Sequence, residues 1–420
     1  METETVKILK KENNLEDCSK EELIRRIKSL EAHNVQLKRI IAKSGENESQ
    51  QRPNQKPFDF SKCHFRHVFI KFYYLGWDYN GFAVQEDTTE TIENYLFKAL
   101  IKTCLIKDRS TSNYHRCGRT DKGVSSFGQV ISLDIRSKLT KETENNLQDE
   151  LDYCQILNSV LPENIQCVGW SPVNDDFSAR FNCKSRMYKY FFPRGQLNVE
   201  KMREASRFLL GTHDFRNLCK MDVGNGVVQF TRNIEFIAIE PENFSHDNEY
   251  SMYVITIKGK AFLWHQIRCI MGVLILIGQN REDVNVIKEL LDVDQNPRKP
   301  EYHMASEIPL NLYYCDYNDV NWTYNSSNLV NVIKRLKKCW IFHGIKECMI
   351  RHMISSLQSI LKTMPQEESD EICLSEYLMQ GIRYKKYIPL MKRQKCESLE
   401  EKIKHFAKRK RIEVIKENNS

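Results

Sequence analysis

A cationic loop bounded by glycines runs straight into an alternating strand, and this pairing limits what the chain can build. The stretch reads Arg116-Cys117-Gly118-Arg119-Thr120-Asp121-Lys122-Gly123-Val124-Ser125-Ser126-Phe127-Gly128-Gln129. Its first eight residues hold two glycines, one carboxylate and three cations. From Val130 to Ile135 the side chains alternate, with Ile131, Leu133 and Ile135 on one face and Ser132 and Asp134 on the other. That is the period of a half-buried β-strand. Asp121 therefore belongs on a tight loop at the lip of a sheet. Loops on a rigid scaffold carry much of protein chemistry. Gly and Asp are also ordinary turn formers, and Asp often bonds its own backbone. Spacing alone leaves both readings open.

A chain of 420 residues is long enough for two or three domains with a real core. Its net charge of +7 permits an acidic partner such as RNA without demanding one. The 14 cysteines are scattered singly, with no Cys-x-x-Cys pair and no Cys/His cluster at zinc spacing. This argues for a reduced compartment and against a structural zinc or a disulfide framework. No apolar h-region marks a secretory signal. The longest apolar run, Cys269 to Gly278, is too short to span a bilayer. The expectation is a soluble protein of the nucleus and cytoplasm with no membrane partner.

Near the N-terminus, Ser19 and Glu22 form a capping box. Leu23, Ile27, Leu30, Asn34, Leu37 and Ile41 then recur at four- and three-residue steps. A polar Asn in such a seam can fix the register of a coiled coil. An amphipathic helix docked on its own domain fits equally well. Residues 1–48 are read as this helix and 49–62 as a polar linker, with the globular part starting at Cys63. Arg66–Leu75 reads as a strand, Thr89–Cys104 as a helix, and the cationic loop with its strand completes a β-α-β rhythm. Glu142–Val160 is predicted helical, and a polar, proline-containing connection follows it. Lys184, Arg186 and Lys189 interleave with Tyr188 and Tyr190 on a further strand. Such a pattern suits RNA, since cations meet phosphates and aromatics stack on bases. An edge strand with a wet lysine face is the competing reading. Val199–Leu210 is predicted helical, Thr231–Ile239 and Tyr250–Lys258 as strands, and Leu329–Met364 and Leu399–Ala407 as helices. Lys408-Arg409-Lys410-Arg411 fits a nuclear-localisation or RNA-contacting cluster, or simply a solvated helix end.

Gly118-Arg119-Thr120-Asp121-Lys122-Gly123-Val124 resembles the GRTD-x-GV signature of the TruA-type pseudouridine synthases. Three companions stand in the order that family requires. Tyr74-x-Gly76 with Tyr79-x-Gly81-Phe82-x-x-Gln85 is similar to its first strand and loop. Ala179-Arg180-Phe181 followed by Arg186-x-Tyr188-x-Tyr190 resembles its ARF and R-x-Y-x-Y segment. Phe262-Leu263-Trp264-His265-Gln266-Ile267-Arg268 through Gly272 resembles its F-L-x-H-x-(V/I)-R motif. The run Gly211-Thr212-His213-Asp214-Phe215-Arg216-Asn217-Leu218-Cys219-Lys220-Met221-Asp222, and the stretch from Tyr384 to Glu401, resemble the eukaryotic branch that modifies tRNA uridines 38 and 39.

The resemblance implies an α+β fold: two α/β halves with antiparallel-rich sheets around a central basic cleft. The halves would be residues 63–175 and 176–319, preceded by the coiled-coil-like helix and followed by a helical, basic extension over 320–420. It also implies a homodimer acting on the tRNA anticodon stem-loop, with no metal and no cofactor. Uridine would be isomerised at positions 38 and 39. The alternatives are a synthase for other tRNA or mRNA uridines, a non-catalytic RNA-binding protein on the same scaffold, and a coiled-coil scaffold protein using residues 19–43, against which the short heptad run weighs. The reaction breaks the N1–C1′ bond, turns the uracil and rejoins it through C5. It needs a nucleophile, a pocket for the detached base and exclusion of water. The resemblance makes Asp121 the nucleophile, attacking the sugar or first acting as a base. It makes Tyr188 the stacking face for uracil. Arg119 is expected either to supply a cation that keeps Asp121 ionised or to contact the flipped nucleotide or its phosphate. Arg268, a charge in an apolar helix, needs a carboxylate, and Asp121 is the expected partner. His265 is expected to be packed or substrate-facing rather than a metal ligand. Arg116, Lys122, Lys184 and Lys189 are expected phosphate contacts.

Overall fold

The computed structural model describes residues 58–410 apart from 141, 224–226, 228, 243–249, 365–373 and 382–385. The predicted N-terminal helix, the linker as far as residue 57, Tyr384, Lys385 and Arg411 lie outside the described residues. Phe60–Ser420 forms one compact unit.

Its elements run β1 (His64–Tyr74), α1 (Ile92–Lys102), β2 (His115–Arg116), β3 (Ser125–Ser137), α2 (Tyr153–Asn158) and β4 (Ile165–Pro172). Next come β5 (Ser185–Pro193), α3 (Val199–Arg207), β6 (Gly211–Asp214), β7 (Thr231–Pro241), β8 (Met252–Gly259) and α4 (Gln266–Gly278). The last are α5 (Val286–Leu291), β9 (Leu310–Asp316), α6 (Ser326–Leu361) and α7 (Leu399–Lys410). Nine strands form one mixed sheet in the order β4-β1-β3-β9-β5-β8-β7-β6, with β2 pairing β3. Every pairing is antiparallel except β3 with β9, where Ser125 faces Asn311 and Ser126 faces Leu312. That short parallel seam joins the strands of the first motif to those of the later ones.

One apolar cluster lies under β1, β3 and β4, with Leu96 and Leu100 of α1 packed into it. The larger lies under β5, β7 and β8 and is filled by α4. All 13 residues of α4 are buried, as expected of a helix that is apolar all round.

Four differences from the sequence reading have clear causes. The helix predicted over 142–160 is reduced to a turn of 3-10 helix at Leu147–Asp149 and to α2. Glu150 is drawn to the sheet instead: its carboxylate accepts from Lys138 N at 2.9 Å, Ser137 Oγ at 2.5 Å and Arg66 at 3.0 Å. Asp152 then restarts the helix by capping Gln155 N at 2.9 Å. The polar connection contains β4, which is buried on both faces and so shows no alternation. Strand β9 was hidden in the sequence, being short and flanked by irregular chain. Finally, part of the C-terminal extension is woven into the unit. Bridges join Ala305 to Met379 and Pro300 to Lys395, and Leu390 is fully buried in the larger core.

Candidate active site

Asp121 is held by contacts made before and after it. Tyr74 from β1 reaches Thr120 Oγ1 at 2.7 Å, and Gln129 Nε2 from β3 donates to Gly118 O at 3.1 Å. Phe82 N donates to Thr120 O at 3.1 Å and Gly123 N to Tyr79 O at 3.1 Å. This docking requires the glycines of the first motif. A Cβ on Gly76 would lie 1.9 Å from Val124 O. Gly81 has φ +94°, and a Cβ there would press on Thr120 O and Lys122 N at 3.2 Å. The two motifs thus build one rigid double loop.

The Asp121 carboxylate meets the turn that precedes α4. Trp264 Nε1 donates to Oδ1 at 3.1 Å, and His265 Nε2 lies 3.2 Å from Oδ2. His265 is the N-cap of α4 and adopts φ +58°, a conformation uncommon outside glycine. Its Nδ1 is buried without a partner among the described residues. Trp264 is partly exposed and carries the Lys220 ammonium 4.5 Å over its ring.

Arg268 does not pair with Asp121, which corrects the expectation. One turn further into α4, it is only 4 % exposed. Its Nη2 donates to Glu307 Oε2 at 2.8 Å and Gln380 Oε1 at 2.7 Å, and its Nε to Ala305 O at 2.9 Å. Ala305 N in turn donates to Arg268 O at 3.0 Å. The buried charge therefore finds its carboxylate in the 305–307 loop and clips the C-terminal segment to α4. A carboxylate near this helix is more simply met at its N-terminus, where the backbone dipole favours an anion. The indole N–H and imidazole at the head of the third motif were the signal that pointed there.

A cleft of about 1470 Å³ opens above Asp121, and Tyr188, Phe262, Trp264, Arg119, Lys122 and Arg180 are among its lining. Tyr188 packs edge-on against Phe262, ring centres 5.3 Å apart. Burial, with Cys315 nearby, pushes the Tyr188 phenol well above its ordinary pKa, so it stays neutral. Arg119 is exposed at the rim. Desolvation of part of its guanidinium, and then the Arg116 and Arg180 charges, lower its pKa. An anion at this rim relieves that repulsion.

The expected phosphate contacts divide. Lys122 is exposed at the cleft. Arg116 also borders it but is committed to Glu93, at 2.6 Å. Glu93 is fully buried and also accepts from Arg109 at 3.2 Å, Tyr114 at 2.8 Å and Val84 N at 2.9 Å. Burial pushes its carboxyl up, but the Val84 N–H, Arg116 and Tyr114 outweigh it and hold Glu93 below the usual range. Lys184 and Lys189 are not in the cleft lining. Strand alternation turns Lys189 to the face opposite Tyr188, where its ammonium lies 4.1 Å over the Tyr313 ring. Sequence reasoning passed over Trp264, Arg180 and Phe262 as site residues, although each lies inside a quoted motif.

The chain is similar to known proteins over most of its length. A family model described as tRNA pseudouridine synthase matches residues 205–318. The human tRNA pseudouridine(38/39) synthase is 41% identical over 96% of this chain and 90% of its own length. The mouse protein of the same name is 42% identical over 94% of this chain and 89% of its own. That of Saccharomyces cerevisiae is 39% identical over 75% of this chain and 74% of its own.

Proposed function

The chain belongs to the tRNA pseudouridine synthase family, and on that premise we propose that it converts uridine to pseudouridine at positions 38 and 39 of the tRNA anticodon stem-loop, with Asp121 as the nucleophile. The observation that carries the reading is the placement of Asp121. Its carboxylate is gripped by Trp264 and His265 at the floor of a cleft walled by Tyr188. A flipped uridine entering the cleft meets the carboxylate from below and an aromatic face from the side. Flipping costs a few kcal/mol of stacking, which Arg119, Lys122 and Arg180 offset through the phosphates. With the N1–C1′ bond broken, Tyr188 and Phe262 confine the uracil while it turns to present C5. The Tyr188 hydroxyl, kept neutral by burial, does not take the C5 proton as a base; it assists by hydrogen bonding while water or a free carboxylate accepts that proton. Both routes for Asp121, attack at the sugar and initial proton abstraction, start from this same geometry.

The functional unit is read as a homodimer. Its support is α6, whose outer two-thirds exposes Trp340, Phe342, Ile345, Met349, Met353 and Leu357. A run of that size on a soluble protein marks an interaction surface.

The deciding experiment incubates the purified full chain with unmodified tRNA and maps pseudouridine site by site, with Asp121→Ala as control. Product at positions 38 and 39, absent with Asp121→Ala, is the expected result. Product only at other uridines would replace the site assignment. Tight tRNA binding with no product from the unaltered chain would support the non-catalytic reading.

A further inference from the structure

We propose that Cys117, Cys183 and Cys315 form a zinc site beneath the catalytic loop. The ion would clip the base of that loop to the turn before β5 and to strand β9. The sequence keeps these residues far apart, Cys117 and Cys315 by 198 positions. The fold brings all three sulfurs within 4.8 Å of one another, and all three side chains are buried. The Cys117 and Cys315 sulfurs are 3.3 Å apart. Three thiolates at the usual zinc–sulfur length of about 2.3 Å stand about 3.8–4.0 Å apart, for tetrahedral or trigonal geometry. The Cys117–Cys315 pair is closer than that spacing, and the other two separations do not exceed 4.8 Å, so the sulfurs are within about 1 Å of what an ion needs.

The charge also balances. A divalent ion with three thiolates carries one net negative charge, and Arg186 lies within electrostatic reach of all three cysteines. Its guanidinium is fixed there by Cys117 O at 2.9 Å, Arg180 O at 3.1 Å and Lys260 O at 2.6 Å. Cys117 borders the cleft, so the ion would enter from that side and a water would complete its fourth position. The competing reading is that the cysteines only fill the small apolar cluster they share with Phe69, Val130, Ala179 and Leu312. Cysteine often serves as a small hydrophobe. Packing alone, however, does not require three thiols at one point beside a guanidinium.

The role assigned is positional. Cys117 immediately precedes the Gly118–Asp121 turn, and Cys183 lies between Arg180 and Tyr188. One ion would hold both sides of the cleft in register without touching the substrate.

The test uses the full chain, purified in reductant without added metal. Elemental analysis should find about one zinc per chain, and a chelator that strips it should lower the melting temperature. Replacing zinc with Co²⁺ should give a near-ultraviolet thiolate charge-transfer band. That band should be lost in Cys183→Ala and in Cys315→Ala. Should these variants fail to fold, Co²⁺ titration of the reduced, unaltered chain decides by itself. Absence of the band there overturns the proposal. So does zinc retained in a folded variant lacking all three cysteines, or a Cys117–Cys315 disulfide as the resting state.

Discussion

Trp264 and Asp121 are joined by a 3.1 Å hydrogen bond that links the third motif to the first. The donor stands just before α4, so the carboxylate lies at the end of a buried helix where an anion is favoured. Trp264→Phe keeps the ring and removes the donor. A hydrogen bond to a charged group contributes about 1.5–3 kcal/mol, so turnover should fall about ten- to a hundredfold with little change in KM for tRNA. Single-turnover assays measure this, and an unchanged rate would refute a role for the indole.

Asp121→Ala is expected to fold and to bind tRNA, because the loop is held by backbone and by Thr120 rather than by the carboxylate. Pseudouridine formation should fall by about a thousandfold or more, the scale for loss of a nucleophile. Tritium release from C5-labelled tRNA reads the loss, and residual turnover within tenfold of the unaltered chain would overturn the assignment.

Tyr188 separates stacking from proton transfer. With Phe262 edge-on to its ring, Tyr188→Phe should preserve the confining wall and Tyr188→Ala should open it. Stacking predicts that the alanine variant loses far more activity. Equal losses would assign the effect to the hydroxyl.

Arg268→Met should act through stability. Removing one partner of a buried ion pair costs about 3–5 kcal/mol; Glu307 would lose its cation and keep only the Gln380 Nε2 donor, and Gln380 Oε1 would lose the Arg268 donor. The melting temperature should drop, while the pH profile of whatever activity remains should keep its shape. A stable variant with a shifted profile would restore a direct link to Asp121.

Glu93 makes stability depend on pH. Its folded pKa lies below the ordinary value of 4.5, so its contribution is complete above that value and is lost as pH falls through the folded pKa. Glu93→Gln should cost about 3 kcal/mol at neutral pH. The gap to the unaltered chain should narrow in acid, and denaturant melts across pH would show it. A gap that stays constant would mean the carboxylate charge is irrelevant.

Much of the site could be read directly from the chain. The alternation of Ile131, Leu133 and Ile135 set β3, and Asp121 on the loop before it followed from that. Tyr188 and Tyr190 on one face and Lys189 on the other also follow from a period of two. Strand β4 was not legible, because a strand buried on both faces loses its alternation. The collapse of the 142–160 helix depended on Glu150 reaching Ser137 and Arg66, contacts that no local pattern encodes.

By itself, then, the sequence determined the reactive loop, the aromatic strand and the apolar helix, since each rests on short-range periodicity and turn chemistry. Only the tertiary structure decided who meets whom. It gave Asp121 to Trp264 and His265, gave Arg268 to Glu307, and gathered Cys117, Cys183 and Cys315 at one point. The reason is physical: a charge or thiol pairs with whatever the fold brings within a few ångströms, and distance along the chain does not fix distance in space.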